Sequence, residues 1–151
     1  MADQVSVDSE KQVAATTNVV ESGQAVTSSA QGSSSLGAAQ KSMFWGKEHG
    51  PQSMGDSSAA LFDTVSEVLA KEAALISTFE AEINAALESF TGTEQDNKLQ
   101  LAQIQEALNR VDKSDAAAEA KAAQHKFDKA FGQIESMMQS LFPGSSGSGQ
   151  S

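Results

Sequence analysis

Histidine is the first place to look for chemistry in this chain, because it has no cysteine and no tyrosine and only two histidines. His49 lies beside Gly50 and Pro51, where no neighbouring pattern fixes it. His125 falls in a helical pattern, and Asp128, three residues on, shares its face. One imidazole and one carboxylate make two ligands, whereas a zinc site takes at least three protein ligands. A bundle-type di-metal site uses Glu-x-x-His pairs on facing helices, and the residue three before His125 is Ala122. No Gly-rich phosphate loop and no Ser-His-Asp set in a workable order is present. The residues therefore carry no catalytic constellation, metal site or cofactor site, and the chain is expected not to be an enzyme.

The remaining polar candidates are carboxylates and thioethers. Glu72 is the one charged residue on an otherwise apolar helical stripe. It either sets register against a Lys or Arg across an interface or reaches solvent where packing opens. Glu80 and Glu82 fall on the outer face as solubilising charge. Met137-Met138 offers either an adaptable docking surface or plain core.

Charge narrows the partner classes. The net charge is −10 with a pI near 4.5. Residues 56–142 hold 15 acidic and 7 basic residues, a balance of −8. Nucleic acid requires a basic stripe, so it is excluded as a partner. A basic amphipathic face for anionic membranes is missing for the same reason. No apolar run approaches the roughly 18 residues that a membrane-spanning helix needs, so no membrane insertion is expected. The opening segment, MADQVSVDSEKQVAATTNVV, has neither a basic n-region nor an apolar h-region. No ordinary cleavable signal peptide is therefore expected, and the lack of cysteine fits the cytosol as well as secretion by a route without oxidative folding.

Composition divides the chain into three parts. Residues 1–55 are rich in Ser, Thr, Gln, Ala and Gly with scattered valines, and read as a disordered leader. Within it, Met43, Phe44 and Trp45 form an apolar cluster that either docks on a partner or folds back on the same chain. Residues 56–142 hold the remaining aromatics and read as an all-α antiparallel helical hairpin. Residues 143–151 form a flexible Gly/Ser tail, native or engineered, whose Pro143 stops the preceding helix.

The hairpin is legible from apolar spacing. A first helix is expected over 57–90, capped by Asp56 or Ser57. Its seam runs Phe62, Val65, Leu69, Glu72, Ile76, Phe79, Ile83, Ala86, Phe90 at coiled-coil spacing. Leu61, Val68, Leu75 and Leu87 widen that stripe beyond what one partner helix covers. Thr91-Gly92-Thr93 is the expected turn, with Gly92 ending one helix and Thr93 capping the next. The second arm begins with Leu101, Ile104, Leu108 and Val111, then loses phase across Asp112-Lys113-Ser114-Asp115. A kink or break is expected there, with Asp112 or Ser114 as the cap of a third helix. The stripe resumes at Phe127, Phe131, Ile134, Met138 and Leu141, which are the expected assembly interface.

A polar leader, no cysteine and a helical hairpin with an amphipathic C-terminal helix together resemble the small secreted subunits of bacterial type III secretion systems. The segments that carry this are Leu99-Gln100-Leu101-Ala102-Gln103-Ile104-Gln105-Glu106-Ala107-Leu108 and the helix from Lys126 to Leu141. They are similar in pattern to the inner-rod and needle family. The resemblance implies a non-catalytic, self-assembling structural subunit, bacterial and exported, whose partners are copies of itself and other subunits. Two features depart from the family: no proline in the inter-helix turn, and a tail beyond the last helix. Trp45-Gly46 precedes both helices instead of joining them, which sets aside the secreted WxG hairpins. Accessory structural proteins of tailed bacteriophage virions share the composition and extended arms, and are the alternative. A soluble adaptor without a filament role is a third class. Neighbouring secretion-ring genes would favour the first, portal and tail genes the second.

Overall fold

The computed structural model of the chain describes residues 9–40, 45–89 and 97–141. Among the described residues there are four helices: α1, Ser9–Ala39; α2, His49–Glu88; α3, Asn97–Asp112; and α4, Asp115–Leu141. The all-α arrangement expected from the sequence is what the chain has. The turn expected at Thr91-Gly92-Thr93, the seam residue Phe90 and the tail from Pro143 lie outside the described residues.

α2 is the spine, about 60 Å long at the helical rise. The second arm runs antiparallel to it. Descending α2 through Ser89, Glu82, Lys71 and Glu67, the side-chain partners climb through Gln103, Arg110, Glu119 and Lys126. That register passes through the junction of α3 and α4 without a reversal. The hairpin is thus present with its second arm broken, and the break lies where the apolar phase slips. Ser114 makes it: its Oγ accepts from the Ala117 N–H at 3.2 Å and donates to the Val111 carbonyl at 2.6 Å. Ser114, not Asp112, is the cap, and Asp115 follows in the first turn, where the helix dipole favours an anion.

α2 starts earlier than its expected cap at Asp56 or Ser57. Glu48 precedes the helix in an extended conformation (φ −82, ψ 145), and its carbonyl accepts the Gln52 N–H at 3.1 Å. Pro51 fits the first turn because its missing N–H has no helical partner to lose there. At the other end Ser89 closes the helix, its Oγ donating to the Ala86 carbonyl at 2.6 Å.

The largest difference from the sequence reading is α1, which occupies much of the stretch 1–55 read as a leader. It packs antiparallel along α2, with Gly23 beside Ile76, Ala30 beside Ser66 and Gly37 beside Phe62. Its inward positions are Thr16, Val19, Gly23, Val26, Ala30, Ser33 and Gly37. That is 3-4 heptad spacing written almost wholly in small residues, which allow a close approach of two helices without large apolar side chains. Hydrophobic spacing alone passes over such a pattern.

The α-carbons of α1 come within 8 Å of those of α2 and of no residue in α3 or α4. The molecule is therefore a layer with α2 in the middle, not a closed bundle. Its interior is correspondingly thin. The buried apolar residues are Ala30, Ala86, Ala107, Val111, Ala117 and Ala123, and no large side chain is fully buried among the described residues.

Candidate assembly surface

α4 carries two adjacent apolar stripes. Alanines 117 and 123 are buried against α2, and Phe127, Ala130, Ile134 and Met137 continue that line half-buried. Small residues in the first half let α4 lie close to α2, where Lys71 pairs with Glu119 at 2.7 Å and Lys126 with Glu67 at 2.7 Å. The Glu119 carboxylate accepts a hydrogen bond from Lys71, which holds its pKa below the ordinary value and raises that of the lysine. One step around the helix lie Phe131, Met138 and Leu141, which are 52 %, 51 % and 56 % exposed. The expected interface of Phe127, Phe131, Ile134, Met138 and Leu141 is thus divided. Phe127 and Ile134 face inward, and the other three face out. The rings of Phe127 and Phe131 stack with centroids 6.0 Å apart, so the seam and the outer stripe are continuous.

α3 divides in the same way. Ala107 and Val111 are buried and Ile104 is half-buried, while Leu99, Leu101 and Leu108 are exposed. Arg110 ties α3 to the spine, with Nε 2.6 Å from Glu82 and NH1 3.2 Å from Glu106. The hydrogen bond to Glu82 raises the guanidinium pKa. Glu82 was read as outer-face charge and instead lies at the α2–α3 seam, because its helical position faces Arg110. Lys121 reaches back across the helix break to Asp112 at 3.2 Å.

α1 and α3 flank α2, and an open apolar groove runs between them. One part, about 460 Å³, is lined by Val19 of α1, Leu75, Ile76 and Phe79 of α2, and Val111 of α3. The next, about 280 Å³, continues along Val19, Phe79, Ile83 and Leu87 to Ile104. The extra width of the α2 stripe lies here, with Leu75 and Leu87 lining the groove and Ile76 against Gly23 of α1. Glu80 lines the rim and Glu72 is exposed. Glu72 thus reaches solvent, as one of its two sequence readings had it.

The apolar cluster of the leader is seen only at its end. Met43 and Phe44 lie outside the described residues. Trp45 is half-buried and lies on Gly55 in the second turn of α2. Gly46 permits this, with φ at 81°, a left-handed conformation that turns the chain back before α2. Of the two readings of this cluster, Trp45 follows the one in which the segment folds back on its own chain.

The histidines stay apart. His49 opens α2 and is exposed, and His125 is exposed on α4, where Asp128 accepts from Gln124 Nε2 at 3.2 Å. Among the described residues no three metal-binding side chains gather, and no helix is long and apolar enough to cross a membrane. Met137 is half-buried and Met138 exposed, so the pair serves both the seam and the outer stripe. Comparison with protein-family models, with characterised proteins and with solved structures found no match.

Proposed function

We propose that this chain is a non-catalytic structural subunit that assembles with copies of itself, with the C-terminal half of α4 as its main contact. The observation that supports this most directly is the combination of a core made of alanines with Phe131, Met138 and Leu141 left half-exposed on one line. A monomer that has filled its interior does not leave a row of large apolar side chains beside a thin core. Burial of each such side chain contributes on the order of 1.5–3 kcal/mol, which only a further subunit can supply here. The resemblance to inner-rod and needle subunits gives the finer reading, a part of a bacterial export apparatus.

The test separates the two stripes. Phe131→Asp with Met138→Asp places charge on the outer line and leaves the seam intact. Sedimentation of this variant should show loss of the oligomer, with helicity by circular dichroism retained. An oligomer that persists in the double variant removes α4 as the contact. For the finer reading, the same variant should fail to be exported by a type III apparatus that exports the wild-type chain.

A further inference from the structure

We infer that α1 is an exchangeable arm, which leaves the α2 of its own chain and docks by the same contacts on α2 of a second copy. This rests on the self-assembly reading above and names a second surface through which copies hold one another.

Three observations carry it. First, α1 approaches α2 alone, so it can leave without opening the rest. The pairs Arg110–Glu82, Lys71–Glu119 and Lys126–Glu67, which tie α2 to α3 and α4, involve no residue of α1. Second, the seat it occupies is shaped for this helix. A side chain at Gly23 would come within 3.3 Å of Ile76 Cγ2, and one at Gly37 within 3.3 Å of Phe62 Cβ and 3.0 Å of Asp63 Oδ1. Ser66 Oγ donates to the Ala30 carbonyl at 2.9 Å between them. An element with glycines at those two heights, seven residues either side of a buried alanine, fits this face. Each copy brings one such element. Third, a vacated seat exposes Phe62 and Ile76, apolar surface that is driven to be covered again.

The connector over residues 40–48 sets the geometry. Fully extended, nine residues reach about 30 Å. At the end of the connector Gly46 takes a left-handed turn and Trp45 lies on Gly55. Exchange of an identical element remakes every contact, so it requires no new interface. Reciprocal exchange closes a dimer, and head-to-tail exchange extends a chain of copies.

The absence of cysteine makes the test clean. Chains carrying Gly37→Cys alone are mixed with chains carrying Phe62→Cys alone, incubated reduced, then oxidised. The Cβ separation at this pair, 3.3 Å, is near that of a disulfide. Exchange puts the two thiols together between chains, and a linked heterodimer should dominate. Ala85→Cys, exposed near the far end of α2, replaces Phe62→Cys in the control mixture. The heterodimer should exceed that control by roughly tenfold or more, because docking gives an effective concentration that random collision lacks. Asp63→Cys repeats the test with Phe62 kept. Heterodimer yields equal to the control in both pairings would overturn the inference. The α4 surface is read separately: a strong heterodimer with unchanged sedimentation of the Phe131→Asp, Met138→Asp variant leaves the arm and removes α4.

Discussion

Trp45 and Gly55 fit each other as a side chain and the space made for it. A Cβ at Gly55 would lie 2.7 Å from Trp45 Cδ1 and 2.9 Å from Cγ, and that glycine is buried although it sits inside a helix. Glycine within a helix is less favourable than alanine by about 0.5–1 kcal/mol, so the indole must offset that loss. Gly55→Val should therefore expel the indole while α2 stays helical. Trp45 is the chain's single tryptophan, so fluorescence reads this directly. Emission should move to the red and iodide quenching should rise. Unchanged emission would mean that Trp45 is held by something other than this contact.

The two stripes of α4 predict opposite outcomes for neighbouring substitutions. Ile134→Asp puts a carboxylate on the half-buried seam against α2 and should reduce helicity and thermal stability together. Phe131→Asp alone meets mostly solvent in the monomer and should leave the melting temperature of the dissociated chain nearly unchanged. Thermal melts at concentrations low enough to dissociate the oligomer compare them. Equal destabilisation by both would show that the outer stripe is core.

Much of the α2, α3 and α4 arrangement was legible because its signals are large side chains at regular spacing. The phase slip after Val111 marked a break, and Ser114 proved to be its cap. The stripe from Phe127 to Leu141 was visible, but its division was not. The series Phe127, Phe131, Ile134, Met138, Leu141 drifts around the helix, and only the position of α2 decides which members face inward. α1 was hidden for a different reason. Thr16, Gly23, Ala30 and Gly37 carry almost no hydrophobic signal, although their spacing is as regular as that of α2. The start of α2 at His49 was hidden because the apolar stripe begins only at Leu61 and Phe62, while Gly50 and Pro51 fill a first turn.

The α2–α4 ion pairs predict a pH dependence of definite sign. Glu119 has a folded pKa below the ordinary 4.5, because Lys71 donates to it, and Lys71 has one above 10.5. A depressed carboxylate stabilises above its unfolded value, and that contribution is lost as pH falls through the folded value. A raised lysine stabilises below its unfolded value and loses that contribution as pH rises through the folded one. The pair is thus complete across neutral pH and fails at both extremes. Glu119→Gln should melt below wild type at neutral pH, and the two curves should converge in acid. Both partners are exposed, so the gap should be small and should shrink with added salt. A gap that widens in acid would reverse the sign and exclude this pair as its source.

The outward positions of α1 are rich in hydroxyls that donate to the carbonyl four residues back: Thr17 to Val13, Ser22 to Asn18, Thr27 to Gly23, Ser28 to Gln24 and Ser35 to Gln31. Such bonds slightly weaken a helix. Its inward face buries little beyond Ala30 and Gly37, where Ser66 of α2 donates a hydrogen bond to the Ala30 carbonyl. α2, by contrast, is covered on two sides. In the monomeric chain the amides of α1 should therefore exchange well before those of α2 between Leu69 and Ala86. Removing residues 1–40 should leave the helicity of α2, α3 and α4 in place, since the pairs Arg110–Glu82, Lys71–Glu119 and Lys126–Glu67 join those helices without α1. Hydrogen exchange by mass spectrometry, with circular dichroism of the truncated chain, checks both. Protection of α1 equal to that of α2, or collapse of the truncated chain, would show that α1 is an integral part of the fold and not an arm laid upon it.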